Sequence, residues 1–570
     1  MRISISAALL VALSLAALPD TSGAATQANC EGLISLKLPH ATITQARSIT
    51  TGRFTPPGST MHFDKLPPFC RVSVKSSPSP DSLIDIEIWI PLGRAWNGKF
   101  LQVGCGGFCG TLQYQYIPLA RALRRGYAGA ADDAGNQSPG DGSFALGHPQ
   151  KIEDFGYRAL KETTDKSKAV LLALAGRAPE RSYFNGCSGG GREALIEAQR
   201  FPEDFDGIIV GAPANNWIRM FAGMVANEQA LLDDPASYIA GAKLPLLSKA
   251  VLAHCGKQDS GAPGDAFLSD PLHCSFDPAT VECAAGQSAD SCLTAAQVRA
   301  AKAIYGGPRD PRTARRIVPG FVPGNEDDPA DWPIWIIGAS RQADLTDNTK
   351  PPTLPLAPTR GALQEFYGNS FFAYFVYQDP KLDFHSLKIG AAVAAADQRV
   401  GKIIDAIDPD LRPFERHGGK IIQYHGWADS ALTPLNSVNY YNQVRALLSG
   451  GASTTAASFE RIQRFYRLFM VPGMAHCGGG PGANEFGGFN DPPVIDADHD
   501  ILTALERWVE QGVAPEKIVA THFLDGDPAR GIQFQRPLCP FPQVAHYDGK
   551  GDPADAGSFV CRAGGRDPRP

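Results

Sequence analysis

The sequence lacks an excess of basic residues, and this and other absences narrow the classes of protein to which it can belong. Fifty-three Lys and Arg residues against 59 Asp and Glu residues give a formal net charge of -6, so there is no basic surface for nucleic acid or an anionic membrane. No two cysteines stand at C-x-x-C spacing, which excludes a metal site of the paired C-x-x-C type. There is no internal repeat, no low-complexity tract and, beyond the first 24 residues, no apolar stretch long enough to cross a bilayer. What remains, 43% hydrophobic and 20% charged residues, is an ordinary globular composition.

The N-terminus has the pattern of an export signal. Arg2 precedes an apolar run from Ile3 to Leu18, and the small residues Ser22 to Ala24 suit cleavage. We therefore expect residues 1–24 to be a signal peptide, with an uncleaved anchor as the alternative, and the mature protein to be secreted or periplasmic. Twelve cysteines in an exported chain predict a disulfide framework, although spacing alone does not fix the pairs.

Strand and helix patterns alternate in the first part of the mature chain. Residues 83–90 alternate apolar and polar side chains, which predicts a half-buried strand, and 99–103 and 127–131 predict two more. Helical spacing runs from Asp154 to Ala175, and residues 207–210 predict another buried strand. This alternation predicts the α/β class, with a mainly parallel sheet flanked by helices.

A glycine-rich turn follows a short β-prone run and precedes a helical segment. Gly186, Ser188 and Gly190 satisfy G-x-S-x-G, the strand-to-helix turn that holds a nucleophilic serine above an α/β-hydrolase sheet. The N–H of Gly189, at the start of the following helix, is then a candidate oxyanion donor. An ordinary strand–helix connection is the alternative, because the pattern also arises by chance.

A second glycine-rich stretch follows the predicted strand at 99–103. It lies where α/β-hydrolases form the other half of their oxyanion hole, so backbone N–H groups of Gly106 and Gly107 are candidate donors. A plain turn, braced by a bridge between Cys105 and Cys109, is the alternative.

The strand pattern fades after Pro213 and returns at Gly419–His425. A chain of 570 residues exceeds the usual size of a single core, so either two subdomains or one core with a large insertion is expected. We interpret residues 217–408 as an insertion that covers the mouth of the site. The aromatic residues gathered at 366–377 either pack a small core of the insertion or provide a flat apolar slot for a substrate.

Two later stretches provide an acid and a base. Asp429 follows the strand that ends near His425, and His476 follows a strand at 469–471. The chain order Ser188, Asp429, His476 is that of α/β-hydrolases. His476 would take the serine proton and return it to the leaving group, and Asp429 would hold the imidazole in the required tautomer.

Other side chains compete for these roles. His425 and His417 are alternative bases, and Ser430, Asp132 and Asp133 are alternatives of the same kind. Each also has a structural or surface interpretation.

Cys187 directly precedes the proposed nucleophile and Cys477 directly follows the proposed base. Together with Asp429, they form a CS-D-HC pattern that resembles the tannase and feruloyl esterase family over nearly the whole mature chain. The resemblance implies an α/β-hydrolase core at residues 25–216 and 409–570, with a lid domain at 217–408 inserted between the nucleophile and the acid. It also implies cleavage of esters of aromatic acids without a cofactor for catalysis.

The resemblance further implies a disulfide pattern and a metal. The implied pairs are Cys30–Cys70, Cys187–Cys477, Cys255–Cys274, Cys283–Cys292 and Cys539–Cys561, which leaves Cys105–Cys109. Members of the family often hold a structural Ca²⁺ in the lid, and here Asp259 and Asp265 are the candidate ligands. Gly256 replaces the first aspartate of that loop, so a metal-free polar loop is the alternative. Asn136 is a second departure, because relatives commonly carry His there.

The sequence thus predicts an exported serine esterase that acts on small aromatic esters of the feruloyl type. A tannase and a half-ester hydrolase of the mono(2-hydroxyethyl) terephthalate type are the alternatives among enzymes. A hydrolase-fold protein that only binds ligands is the alternative of another class, and a thiol enzyme using Cys187 is a third.

Overall fold

The computed structural model describes residues 27–138, 140–257, 259–338, 361–451 and 455–564, and the predicted signal peptide lies outside them. Fifteen strands are found in this part of the chain. They are Ala41–Ile49 (β1), Arg53–Phe54 (β2), Phe63–Asp64 (β3), Phe69–Ser76 (β4), Ile84–Pro91 (β5), Lys99–Val103 (β6), Ala128–Asp132 (β7), Arg181–Cys187 (β8), Gly207–Gly211 (β9), Lys420–Gly426 (β10), Tyr466–Val471 (β11), Ile518–Phe523 (β12), Ile532–Leu538 (β13), Gln543–Tyr547 (β14) and Phe559–Ala563 (β15).

Nine of the strands form one mixed sheet in the order β1-β4-β5-β7-β6-β8-β9-β10-β11. The neighbours from β7 to β11 all pair in parallel, whereas β1, β4, β5 and β7 pair antiparallel. The remaining strands form three two-stranded sheets. The fold is the predicted α/β-hydrolase type, and its parallel half contains every strand that leads into a candidate catalytic residue.

Helices cover the sheet and fill the segment between β9 and β10. The described α-helices are Gln27–Cys30, Tyr116–Arg124, Pro149–Glu153, Ala159–Ala175, Gly189–Arg200, Trp217–Leu232, Leu244–Cys255, Ala295–Gly306, Trp332–Trp335, Leu363–Ser370, Ile389–Ala396, Lys402–Ile404, Arg412–His417, Pro434–Leu448, Ala456–Ile462 and Ile501–Gln511. None of them is long and apolar enough to span a bilayer. The helix predicted from Asp154 begins with a π-helical turn, Asp154–Arg158, before its α-helical part.

Strand β5 is not half-buried as predicted. Glu87, on the expected solvent face, is only 1% exposed, and it forms an ion pair with Arg71 of β4, which is also buried. Arg71 Nη2 donates to Glu87 Oε2 at 3.1 Å, and Trp89 Nε1 donates to Glu87 Oε1 at 2.7 Å. The alternation of polar and apolar residues therefore marks a buried ion pair here, since a paired and hydrogen-bonded charge can be removed from water.

A single buried arginine joins the core to both ends of the segment between β9 and β10. The Arg192 guanidinium lies over the ring of Trp217, at the start of the segment, with a distance of 5.3 Å to the ring centroid. It donates to the carbonyl of Ile404, near the end of the segment, at 3.3 Å, and to that of Gly156 at 2.9 Å. Burial lowers the pKa of this guanidinium to about 10. The two ends of the segment are thus fixed to the helix that follows Ser188.

The aromatic residues at 366–377 are divided between the core and the site. Phe371, Phe372 and Phe375 are fully buried, and Phe375 stacks on Phe108 of the glycine-rich loop with a centroid separation of 5.6 Å. These rings therefore pack the insertion onto the core instead of forming an open slot. Tyr367 approaches the glycine-rich loop through its hydroxyl, as described below.

Candidate active site

Ser188 occupies the sharp turn between β8 and the helix Gly189–Arg200. Its backbone has φ 63° and ψ -120°, a region that a non-glycine residue adopts only where the surrounding structure enforces it. Its N–H donates to the carbonyl of Gly211 at 3.0 Å. The turn is too tight for a side chain at Gly186, where a Cβ would lie 2.4 Å from the carbonyl oxygen of Gly190. The serine thus stands at a helix N-terminus beyond a parallel strand, as the G-x-S-x-G prediction requires.

The glycine-rich loop after β6 lies directly against the start of this helix. A Cβ on Gly189 would lie 3.0 Å from the carbonyl oxygen of Gly107, 3.4 Å from its nitrogen and 3.6 Å from the carbonyl carbon of Gly106. The N–H of Cys105 donates to the buried Glu193 carboxylate at 2.9 Å and so fixes the loop to the same helix. Both candidate halves of an oxyanion hole are therefore adjacent.

Asp429 and His476 are hydrogen-bonded. His476 Nδ1 lies 2.8 Å from Asp429 Oδ2, so Nδ1 carries the proton and Nε2 is left as an acceptor. The other carboxylate oxygen, Oδ1, accepts from the N–H groups of Ala431 and Leu432, each at 2.9 Å. Burial alone would raise the pKa of Asp429, but the charge of His476 and the hydrogen bonds from His425 and His476 outweigh it and hold that pKa well below the usual range. The carboxylate remains an anion that can stabilise an imidazolium.

The alternative bases lie elsewhere. His425 is fully buried on β10 and contacts the same carboxylate oxygen, with Nε2 3.1 Å from Asp429 Oδ2. His417 is exposed at the end of the helix Arg412–His417. Ser430 is buried next to Asp429. His425 is therefore part of the acid's surroundings, and His417 has no contact with the site.

Asp132 and Asp133 form a buried structural pair at the end of β7. Asp132 accepts from Thr163 Oγ1 at 2.8 Å, and Asp133 accepts from Gln137 Nε2 at 2.6 Å. Burial raises the pKa of both carboxyl groups, that of Asp133 to about 8. Asn136 Nδ2 donates to the carbonyl of Phe108 at 3.0 Å, so this segment helps to hold the glycine-rich loop in place.

Six disulfides are present in the described residues: five are the pairs that the resemblance implies, and the sixth joins the two cysteines that were left over, Cys105 and Cys109. The bridges are Cys30–Cys70, Cys105–Cys109, Cys187–Cys477, Cys255–Cys274, Cys283–Cys292 and Cys539–Cys561. Cys187 and Cys477, whose Cα atoms are 6.0 Å apart, connect the neighbours of Ser188 and His476 across 290 residues. This bridge brings the serine turn to the histidine loop.

Sequence reasoning missed the aromatic residue that contacts the histidine. Trp335 lies edge-on to the His476 ring with a centroid separation of 5.2 Å, and it stacks on Tyr367 at 6.1 Å. A Cβ on Gly107 would lie 2.7 Å from the Tyr367 hydroxyl. Trp335 stands in an apolar stretch of the insertion with no motif around it, so no local signal could have identified it.

The candidate calcium ligands do not fit a cation. Asp259 accepts from the N–H groups of Ser269 and Asp270, each at 2.8 Å, through its two carboxylate oxygens. Asp265 accepts from Arg536 Nη2 at 2.6 Å and from a backbone N–H at 2.9 Å. All four carboxylate oxygens accept hydrogen bonds from N–H groups. The Arg536 guanidinium also occupies the place beside Asp265 that a calcium ion would need.

Within the described ranges, the group of three metal-ligating side chains that lie together is Cys105, Cys109 and Glu193. The two sulfur atoms are joined in a disulfide, so neither is a thiolate. In this oxidised form the group does not provide a metal site.

Comparison with known proteins places these features in a family. The family model for tannase and feruloyl esterase matches residues 70–562. An uncharacterized esterase of Xanthomonas campestris pv. campestris is 42% identical over 552 residues, which cover 94% of this chain and 92% of that protein. The probable feruloyl esterase B-2 of Aspergillus terreus is 30% identical over 496 residues, 86% of each chain.

Two further similarities extend over most of the molecule. The mono(2-hydroxyethyl) terephthalate hydrolase of Piscinibacter sakaiensis is 31% identical over 559 residues, covering 87% of this chain and 85% of that protein. The crystal structure of an esterase from Aspergillus oryzae has a TM-score of 0.81 at 26% identity, covering 94% of this chain and 100% of that one.

Proposed function

Because the chain belongs to the tannase and feruloyl esterase family, whose members are carboxylic ester hydrolases, we propose that it is an exported serine esterase for esters of aromatic acids. The observation that carries the proposal is the hydrogen bond of 2.8 Å between His476 and Asp429. The Cys187–Cys477 disulfide connects the loop of His476 to the turn of Ser188. Feruloyl and related hydroxycinnamic esters are the first choice of substrate. The six disulfides support export to an oxidising compartment.

The proposed reaction is an acyl transfer to Ser188. His476 Nε2 accepts the hydroxyl proton while Oγ attacks the ester carbonyl, and the N–H of Gly189 with one from Gly106 or Gly107 stabilises the tetrahedral oxyanion. His476 then donates the proton to the departing alkoxide. Water deacylates the enzyme through the same base, and Asp429 stabilises the imidazolium in both halves.

The proposed acyl site lies between the insertion and the catalytic loops. Trp335 contacts His476, and Tyr367 contacts both Trp335 and the glycine-rich loop. A planar aromatic acid can stack on such rings while its carboxyl carbon reaches Ser188. We assign to residues 217–408 the role of a lid domain over a core formed by 25–216 and 409–570.

Hydrolysis of a small ester panel tests the proposal. Methyl ferulate, methyl gallate, mono(2-hydroxyethyl) terephthalate and a short p-nitrophenyl ester are each offered to the native protein and to Ser188→Ala. We expect turnover of methyl ferulate that the substitution abolishes. Preference for the gallate or the terephthalate would select the tannase or half-ester hydrolase alternative, and activity that survives Ser188→Ala would refute the nucleophile.

A protein that only binds ligands is distinguished by labelling. A fluorophosphonate probe reacts with an activated serine, so we expect stoichiometric labelling of the native protein and none of Ser188→Ala. A thiol mechanism at Cys187 is tested by titrating free thiols in the denatured, unreduced protein, for which we expect a value near zero because Cys187 is bonded to Cys477.

A further inference from the structure

His425 has a defined tautomer because of the groups around it. Its Nε2 lies 3.1 Å from Asp429 Oδ2 and 3.0 Å from the carbonyl oxygen of Leu432. Both are acceptors, so Nε2 carries a proton. Nδ1 of the neutral ring is then an acceptor, and Ser437 Oγ donates to it at 2.7 Å.

The hydrogen bonds continue away from the site in one direction. Gln423 Nε2 donates to Ser437 Oγ at 2.6 Å, which directs the serine hydroxyl proton to His425. The hydroxyl of Tyr466 donates to Gln423 Oε1. Tyr466, Gln423 and Ser437 are fully buried, as is His425. Every donor in this buried chain points toward Asp429, and no water is needed to complete it.

The same arrangement explains how a buried carboxylate can bind two imidazoles. Asp429 Oδ1 is held by two backbone N–H groups, and Oδ2 is shared by His425 and His476. Asp331, which lies beside Ser430, is also close to Asp429, and its burial raises its own pKa well above the usual range. The charge at the acid is therefore balanced by donors from three sides.

We propose that His425 is a positioning residue of the reaction, fixed by Ser437 and Gln423 as the neutral Nε2–H tautomer, which orients the Asp429 carboxylate toward His476. The inference rests on the proposed function, since it assigns His425 a role in the same hydrolysis. It also separates the two histidines chemically: both nitrogen atoms of His425 are occupied, whereas His476 keeps Nε2 for the proton of Ser188.

Three variants and one control test the role. His425→Met removes both ring nitrogens, His425→Gln keeps an N–H at the reach of Nε2, and Ser437→Ala removes the donor to Nδ1. Ser167→Ala is the control, because Ser167 is an equally buried serine on the helix Ala159–Ala175 whose hydroxyl has no hydrogen-bond partner among the described residues. The concentration of active sites is measured by labelling with the fluorophosphonate probe. For each variant, kcat per labelled site, KM and the pH profile are then determined.

We expect kcat per site to fall about 10-fold to 100-fold in His425→Met, with KM within about threefold, because a hydrogen bond to a charged group is lost. The acid limb of the pH profile should move to higher pH, since the Asp429–His476 pair takes up a proton more readily without that donor. His425→Gln should restore most of both properties, and Ser437→Ala should lie between.

The outcomes separate the two proposals. A native protein that neither labels nor hydrolyses any ester overturns the proposed function and this inference with it. An active native protein whose His425→Met variant keeps the native kcat per site and acid limb overturns the inference alone. If His425→Met does not fold, Ser437→Ala tests the inference instead. A pH profile of Ser437→Ala identical to that of Ser167→Ala overturns the role proposed for His425 and its hydrogen bonds.

Discussion

Removal of the Cys187–Cys477 disulfide should reduce activity as well as stability. The bridge connects the residue before Ser188 to the residue after His476, and their Cα atoms are 6.0 Å apart. The serine turn belongs to β8 and the histidine loop to β11, which are separated in the sheet by β9 and β10. The sheet therefore sets the approximate distance between the serine turn and the histidine loop. The disulfide then fixes that distance more closely.

The expected loss of stability follows from the length of chain that the bridge closes. A sequence separation of 290 residues corresponds to about 5.5 kcal/mol in the chain-entropy model. Cys283–Cys292 has a separation of 9 and, by the same model, contributes about 2.5 kcal/mol. It lies in the insertion, away from the catalytic residues, so it is a matched control.

The double variants Cys187→Ala/Cys477→Ala and Cys283→Ala/Cys292→Ala are compared by urea unfolding and by kinetics at a temperature where both are folded. We expect the first to lose about 3 kcal/mol more than the second. Its kcat should also fall roughly 10-fold to 100-fold, because a shift of about 1 Å between nucleophile and base is costly. Equal kcat values in the two double variants would refute the argument that the bridge fixes the catalytic geometry.

Three further predictions concern pH, metal and substrate. Burial, with the nearby Asp132 charge, raises the pKa of Glu193 to about 8. Glu193 thus holds its proton more tightly in the folded state than in the unfolded state. The free energy of unfolding that this contributes is lost as the pH rises from about 4.5 to about 8. The unfolding temperature of Glu193→Gln should therefore fall less over that pH range than that of the native protein. The unfolding temperature of Glu203→Gln, a variant at an exposed position, should fall as much as that of the native protein. If Glu193→Gln and the native protein show the same fall, the raised pKa of Glu193 is contradicted. EDTA should leave the unfolding temperature unchanged, whereas Arg536→Met should lower it; a rise on adding calcium chloride would show that the lid loop binds the ion after all. Trp335→Ala should raise KM for methyl ferulate about tenfold while that for p-nitrophenyl acetate changes little, and an equal effect on both esters would argue against an aromatic acyl slot.

Much of the core could be predicted from the sequence, because local patterns determine it. The strand at 99–103 and the turn around Ser188 have unambiguous periodicity and turn chemistry. The candidate acid and base follow from the chain order of α/β-hydrolases once the serine is recognised. The strand and the turn each depend on residues that are close in the sequence, whereas the acid and base depend on the chain order that the resemblance to α/β-hydrolases supplies.

Features that depend on distant partners could not be predicted. The polar alternation in β5 indicated a solvent face, yet Glu87 is buried because Arg71 lies on the next strand. Trp335 contacts His476 across 141 positions of sequence, and nothing in its own stretch indicates that contact. The candidate calcium loop contains no sign of Arg536, which lies 271 positions from Asp265 and donates to its carboxylate.

The contacts of Arg192 have a consequence for how a substrate enters. The guanidinium contacts Trp217 and Ile404, at the two ends of the insertion, and the N–H of Ile218 donates to Asp405 across the same junction at 3.1 Å. Both ends of the insertion are therefore anchored at one junction, which should stay in place when a substrate enters. Selection among esters at this junction should then depend on their shape.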